Sequence, residues 1–141
     1  MPGRPLTALG LTAALGLAAA LSGCASTPQR PDFRGYFADN NAAAAAGPAA
    51  QQEFFNRTQH PDFTANTCEL GDLTVRLDPA WSTLRPDPGF TADGVVPRGQ
   101  IWVIGVEVTT RTGGSTTGHQ IGSQHLVVLD GRTFGFAPCP Q

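Results

Sequence analysis

Three cysteines, three histidines and a few serines are the side chains of this chain with chemical reactivity to offer. Cys24, Cys68 and Cys139 are potential nucleophiles, metal ligands or disulfide partners, and an odd count leaves one thiol to account for. A reactive thiol needs an imidazole or a helix N-terminus beside it, and no histidine stands at a short fixed offset from any of the three. His119 and His125 are separated by residues 120–124, and His60 is remote from both. Zinc sites use tighter spacing or thiolate and carboxylate partners at set intervals, so the histidines read as solvated loop residues and no metal is expected. Ser115, Ser123 and Asp130 would complete the residue types of a hydrolytic triad, but no Gly-x-Ser-x-Gly elbow is present and Asp130 is claimed by a turn. No catalysis and no cofactor are expected. Asn56-Arg57-Thr58 matches a glycosylation sequon and reads as an accidental match.

The elements ahead of Cys24 give the first thiol a distinct chemistry. Arg4 supplies a short basic start, and residues 6–21 form a charge-free run of Leu, Ala, Gly and Thr. At about 1.5 Å per residue the run falls short of the roughly 30 Å of a bilayer core, so it reads as the apolar region of an export signal. The Leu21-Ser22-Gly23-Cys24 sequence that follows resembles the lipobox of bacterial prolipoproteins. That resemblance implies cleavage between Gly23 and Cys24 and a diacylglycerol thioether on Cys24, carrying palmitate-like chains. Two or more acyl chains anchor stably where one is marginal. The expected address is the cell membrane, lipid-anchored and facing the extracytoplasmic side. With Cys24 consumed by lipid, Cys68 and Cys139 remain as one pair in an oxidising compartment, and a disulfide across so long a loop is worth on the order of 4 kcal/mol.

Composition bounds the rest. All nine basic residues are arginine, set singly among eleven acidic ones for a formal net charge of −2, so no basic face is on offer to nucleic acid. From residue 25 to about 47 the chain is rich in Pro, Gln, Asn and Ala with isolated aromatics at Phe33, Tyr36 and Phe37, a composition that reads as a flexible tether. Residues 49–56 have helix-forming composition for one or two turns.

Further on the period changes to two. Leu73, Val75 and Leu77 alternate with Thr74, Arg76 and Asp78, and Gly71-Asp72 reads as a hairpin turn back toward residues 63–69. Pro79, Pro86, Pro88, Gly89 and Asp93-Gly94 make residues 79–99 a loop. Residues 100–110 place Trp102, Ile104, Val106 and Val108 on one face and Ile101 and Val103 on the other, a central strand covered from both sides. Residues 111–118 read as a Gly/Ser/Thr loop. Residues 126–129 run into Asp130-Gly131, the two-residue type I′ signal, and return through Phe134 and Phe136. Trp81, Trp102, Phe134 and Phe136 are read as core.

The segments 71–77, 97–108 with its Pro97-Arg98-Gly99 entry, and 126–134 resemble the immunoglobulin-like domain of unknown function found in Gram-positive and actinobacterial lipoproteins, and the secreted immunogenic mycobacterial antigen that shares the sandwich. The resemblance covers residues 68–136. It departs in the Thr109-Thr110-Arg111-Thr112 turn and in a C-terminus shorter than the family pattern. It implies an all-β fold, a small shortened immunoglobulin-like antiparallel sandwich, divided as 1–23 signal peptide, 24–60 lipidated cysteine and tether, and 61–141 β domain. The function expected is a non-enzymatic, surface-tethered binding or interaction module working through loops 79–99 and 111–124. Its partners are the membrane, through the anchor, and an unidentified envelope protein or ligand, with neither nucleic acid nor metal. The alternatives are a small exported hydrolase or redox protein, or a truncated gene product without an independent role.

Overall fold

Phe33, Tyr36, Phe37 and Asn40 recur at the three-and-four spacing of one helix face, and five alanines follow from Ala42. In the computed structural model, which describes Met1, Gly3 and residues 29–137, that stretch is helix α1 (Arg34–Ala46). The Asp32 carboxylate accepts the Arg34 amide proton at 3.0 Å as the helix begins, and that bond, with the Arg34 charge, holds its carboxyl below the usual range. The helix stops at Gly47, whose φ of 123° breaks the spiral, and Pro48 opens α2 (Pro48–Thr58) where no amide proton is needed. Gln59 and His60 then lead into a 3-10 turn, Pro61–Asn66.

Helix α1 corrects the tether reading over residues 34–46, while α2 covers the residues 49–56 read as helix-forming. Phe33, Tyr36, Phe37, Phe54 and Phe55 are buried in the same core as Val75, Leu77, Trp102, Ile104 and Leu126. A helix of this length is marginal in water alone. Burial of its aromatic stripe, at roughly 2 kcal/mol per ring, is what fixes it to the sheet. Residues 24–28 lie outside the described residues, as does the segment 4–23.

Four strands follow in a simple antiparallel meander: β1 (Leu73–Pro86), β2 (Gln100–Thr112), β3 (Ser115–Leu129) and β4 (Arg132–Gly135), in the spatial order β1-β2-β3-β4. The alternation over 73–77, the two-sided burial of the strand from Gln100 and the Asp130-Gly131 turn are as expected. Asp130 and Gly131 have φ of 51° and 73°, and Leu129 pairs with Arg132 across them. Three other expectations are corrected. Residues 111–118 are mostly strand, turned by Gly113-Gly114 alone between the paired Thr112 and Ser115. Residues 63–69 form no strand, so Gly71-Asp72 turns the chain from Leu70 into β1 without making a hairpin. β1 runs on to Pro86, so the loop is 87–99 and not 79–99.

A β-rich antiparallel fold is therefore present, but the described residues hold one sheet. The face that a second sheet would cover in a sandwich is covered by α1 and α2. The opposite face carries Ile101, Val103, Val127 and Phe134, all buried, under residues 59–66 and the 87–99 loop.

The helical layer also closes the outer edge of β1. Such an edge leaves backbone groups unpaired. Gln51 Oε1 accepts the Val75 amide proton at 2.8 Å and its Nε2 donates to the Val75 carbonyl at 2.6 Å. Asn41 makes the equivalent pair on Leu77, at 2.9 Å in both directions. Gln52 accepts from the Leu70 amide and donates to the Cys68 carbonyl. Side-chain amides thus stand in for the next strand, and Asn40 and Gln51 are fully buried because they have this work to do.

Between Ala80 and Arg85 the register of β1 slips, throwing Trp81 out over α1, edge-on to Phe37 at 5.6 Å. Thr83 repairs the ladder: its hydroxyl donates to the Ala80 carbonyl at 2.7 Å and accepts the Gly105 amide proton at 2.8 Å. A Cβ at Gly105 would lie 3.1 Å from that hydroxyl, which explains a glycine in the middle of the most apolar strand.

Candidate functional site

The loop of residues 87–99 is long and proline-rich, yet it is pinned at its start, its tip and its end. At the start, the Asp87 amide donates to the Ile101 carbonyl at 2.9 Å and its carboxylate meets His125 Nε2 at 2.9 Å. The His125 ring lies parallel to Phe90, centroids 3.7 Å apart, and Phe90 in turn meets Phe136 edge-on. At the tip, Asp93 and Gly94 have φ of 50° and 77° and form a miniature hairpin in which Ala92 and Val95 exchange hydrogen bonds at 2.9 Å. The Asn66 side chain bonds the Asp93 carboxylate.

At the end of the loop, Arg98 forks onto Asp62 at 2.7 and 2.8 Å. The hydrogen bonds from Arg98 are the main reason the Asp62 carboxyl sits below its usual range, and the same bonds raise Arg98. The Arg98 carbonyl is held by His60. Because the Asp62 amide donates to His60 Nδ1, the proton of this fully buried ring is on Nε2, from which it reaches the carbonyl at 2.9 Å. Gly99 then passes so close to β3 that a Cβ would lie 2.6 Å from Val127 Cγ1 and from the Val128 carbonyl, at a φ of 110° that side chains avoid.

A loop fixed in this way presents a preformed surface. Val95 and Val96 are 58% and 54% exposed at its tip. Beside them runs a groove of about 330 Å³, walled by Pro86, Pro88, Val96, Pro97, Ile101 and Trp102. Gly99 and Gln100 complete it, so the lining carries no charge and one amide. Such a lining suits an apolar, extended ligand that can give or take a single hydrogen bond.

The residues singled out for chemistry are dispersed. His60 is locked under the loop, His125 props it, and His119 pairs with Glu107 on the exposed far half of β2 and β3. Ser115 lies at the tip of the β2–β3 hairpin, Asp130 in the turn at the other end of β3, and Ser123 within β3 two residues from His125, whose carboxylate partner is Asp87 and not Asp130. Among the described residues no cluster of three potential metal ligands occurs, and no helix is long and apolar enough to cross a membrane. Trp102 and Phe134 are core residues, and Trp81 packs against the core. Cys68 is half-buried and is not a free thiol. Gly23, Cys24 and Cys139 lie outside the described residues. Within the expected loops, residues 111–124 supply a hairpin and not a loop surface.

The groove's signals in the sequence are the Asp93-Gly94 pair, which marks a tight hairpin as well as a break, and the proline density around it. The edge-sealing amides Asn41, Gln51 and Gln52 carry no sequence signal beyond their helical spacing. Comparison of the chain with family models, with curated proteins and with solved structures gives no match.

Proposed function

We propose that the chain is exported as a lipoprotein, anchored through Cys24, and that its folded part is a binding module for an apolar, extended segment of an envelope protein. The address rests on the short apolar run and the Leu21-Ser22-Gly23-Cys24 sequence behind it. The binding role rests above all on the pinned 87–99 loop. Polar anchors at Asp87, Asp93 and Arg98 hold a tip that leaves two valines in water beside an uncharged groove. Exposing valine side chains on a fixed loop forgoes burial worth about 1.5 kcal/mol or more each, and rigid scaffolds presenting function on loops are the common design. The same reading pairs Cys68 with Cys139 in the oxidising compartment. A photo-crosslinking residue placed at Val96 in intact cells should give a discrete adduct that a crosslinker at Arg76 does not. Cys24→Ala should abolish acyl labelling and membrane retention. Absence of any position-specific adduct would refute the binding role, and unchanged acyl labelling of Cys24→Ala would refute the address.

A further inference from the structure

Three of the nine arginines converge on a second cleft, of about 470 Å³, that shares no lining residue with the groove. Arg57 comes from the last turn of α2, Arg98 from the end of the pinned loop and Arg132 from the start of β4. The remaining wall is mostly neutral, including Asn56, Gln59 and Thr64, with Asp130 as its one carboxylate. Arg98 is already satisfied by Asp62. The other two are held by rings and not by carboxylates: the Arg57 guanidinium lies 5.7 Å over Phe54, and that of Arg132 lies 5.2 Å over Phe134. Among the described residues neither is ion-paired.

With Arg98 neutralised by Asp62 and Asp130 in the wall, the cleft keeps a net charge of about +1 in a chain of net charge −2, an excess that a bound anion would offset. A guanidinium resting on an aromatic face is attracted by the ring and keeps its planar fork of donors, the geometry that grips tetrahedral oxyanions. Asn56 and Thr64 add uncharged donors of the kind that accompany such forks. We propose that this cleft binds a phosphate group, supplied either as a free phosphate or as the headgroup of an anionic phospholipid. The proposal stands independently of the apolar groove and of the lipid anchor.

The test uses the full chain carrying Cys24→Ala, so that an acyl anchor contributes nothing. One arm titrates inorganic phosphate against sodium chloride at matched ionic strength by calorimetry. The other measures flotation with phosphatidylglycerol vesicles against phosphatidylcholine vesicles. Saturable binding in the first arm identifies free phosphate as sufficient, and selective flotation in the second alone identifies the headgroup. Arg57→Gln and Arg132→Gln should each weaken whichever binding is seen by about tenfold, as loss of a charge-assisted hydrogen bond does. Arg76→Gln, whose arginine is already forked onto Asp78, should change nothing. If either cleft variant fails to fold, displacement of the bound phosphate or vesicle by sulfate on the chain with all its arginines takes its place. No binding in either arm, equal binding by the cleft variants, or no displacement by sulfate would overturn the proposal.

Discussion

Replacing Gln51 by leucine tests whether side-chain amides hold the outer edge of the sheet. The substitution keeps the bulk of a fully buried side chain and removes three hydrogen bonds: the Val75 amide proton at 2.8 Å, the Val75 carbonyl at 2.6 Å and Asn40 Oδ1 at 2.9 Å. The Val75 carbonyl keeps a second donor in Asn40 Nδ2 at 3.2 Å. Two groups are thus stranded out of water, the Val75 N–H and the Asn40 Oδ1. Each stranded group costs about 1–3 kcal/mol, and the added apolar burial returns less than about 1 kcal/mol. A net loss of roughly 3–4 kcal/mol is expected, a large share of the ordinary stability of a domain. For a fold of this size that lowers Tm by about 12 °C or more. Thermal and urea melts should show the drop, and hydrogen exchange at Val75 should lose its protection. Arg76→Gln, on the solvent side of the same strand, serves as the control. A Gln51→Leu melt within about 2 °C of the unmodified chain, with Val75 still protected, would refute the amide ladder and restore the tether reading of residues 34–46.

Two further outcomes follow from single groups. Tyr36, the chain's one tyrosine, is pushed up to about 12 by burial, against a weaker opposing hydrogen bond with Thr58. The unfolded chain therefore releases this proton near pH 10 and the folded chain does not, so stability is level below pH 10 and falls by about 3 kcal/mol as pH rises from 10 to 12; a melt series that stays flat over that range would refute the assignment, and Tyr36→Phe should remove this component of the fall. The proposed Cys68 to Cys139 pairing predicts a cross-linked peptide in a non-reducing digest and a lower Tm after reduction, by an amount bounded at about 4 kcal/mol; alkylation of Cys139 in the unreduced, folded protein would exclude the pair.

The sheet was legible in the sequence because alternation and turn chemistry are local. Val75 and Leu77 face the core as their spacing dictates, and Asp130-Gly131 selects its turn with two residues of positive φ. The helical layer was less legible because composition and spacing disagree there. Asn, Gln, Pro and Ala describe a solvated spacer, whereas Phe33, Tyr36, Phe37 and Asn40, and again Gln51, Phe54 and Phe55, keep helical intervals. Spacing is the better guide, because two of those seven stripe positions are amides whose polar atoms are spent on the backbone of β1 and not on water.

The same distinction separates what can be read of the candidate site. Its location in the proline-rich loop is visible, since breakers forbid regular structure there. Its fixed shape is not, because each anchor joins residues far apart in sequence: Asp62 with Arg98, Asn66 with Asp93, Asp87 with His125. Of these six side chains, five are polar or charged residues unremarkable in a solvent-exposed loop, and the sixth, His125, likewise reads as a solvated loop histidine until its partner is known. Two of the histidines read as solvated loop residues are thereby fasteners of the loop. His60 holds the Arg98 carbonyl and His125 holds the Asp87 carboxylate, so both ends of the loop depend on imidazoles that the sheet itself positions. That division leaves the apolar tip and the arginine cleft as the surfaces on which the two proposed binding roles rest.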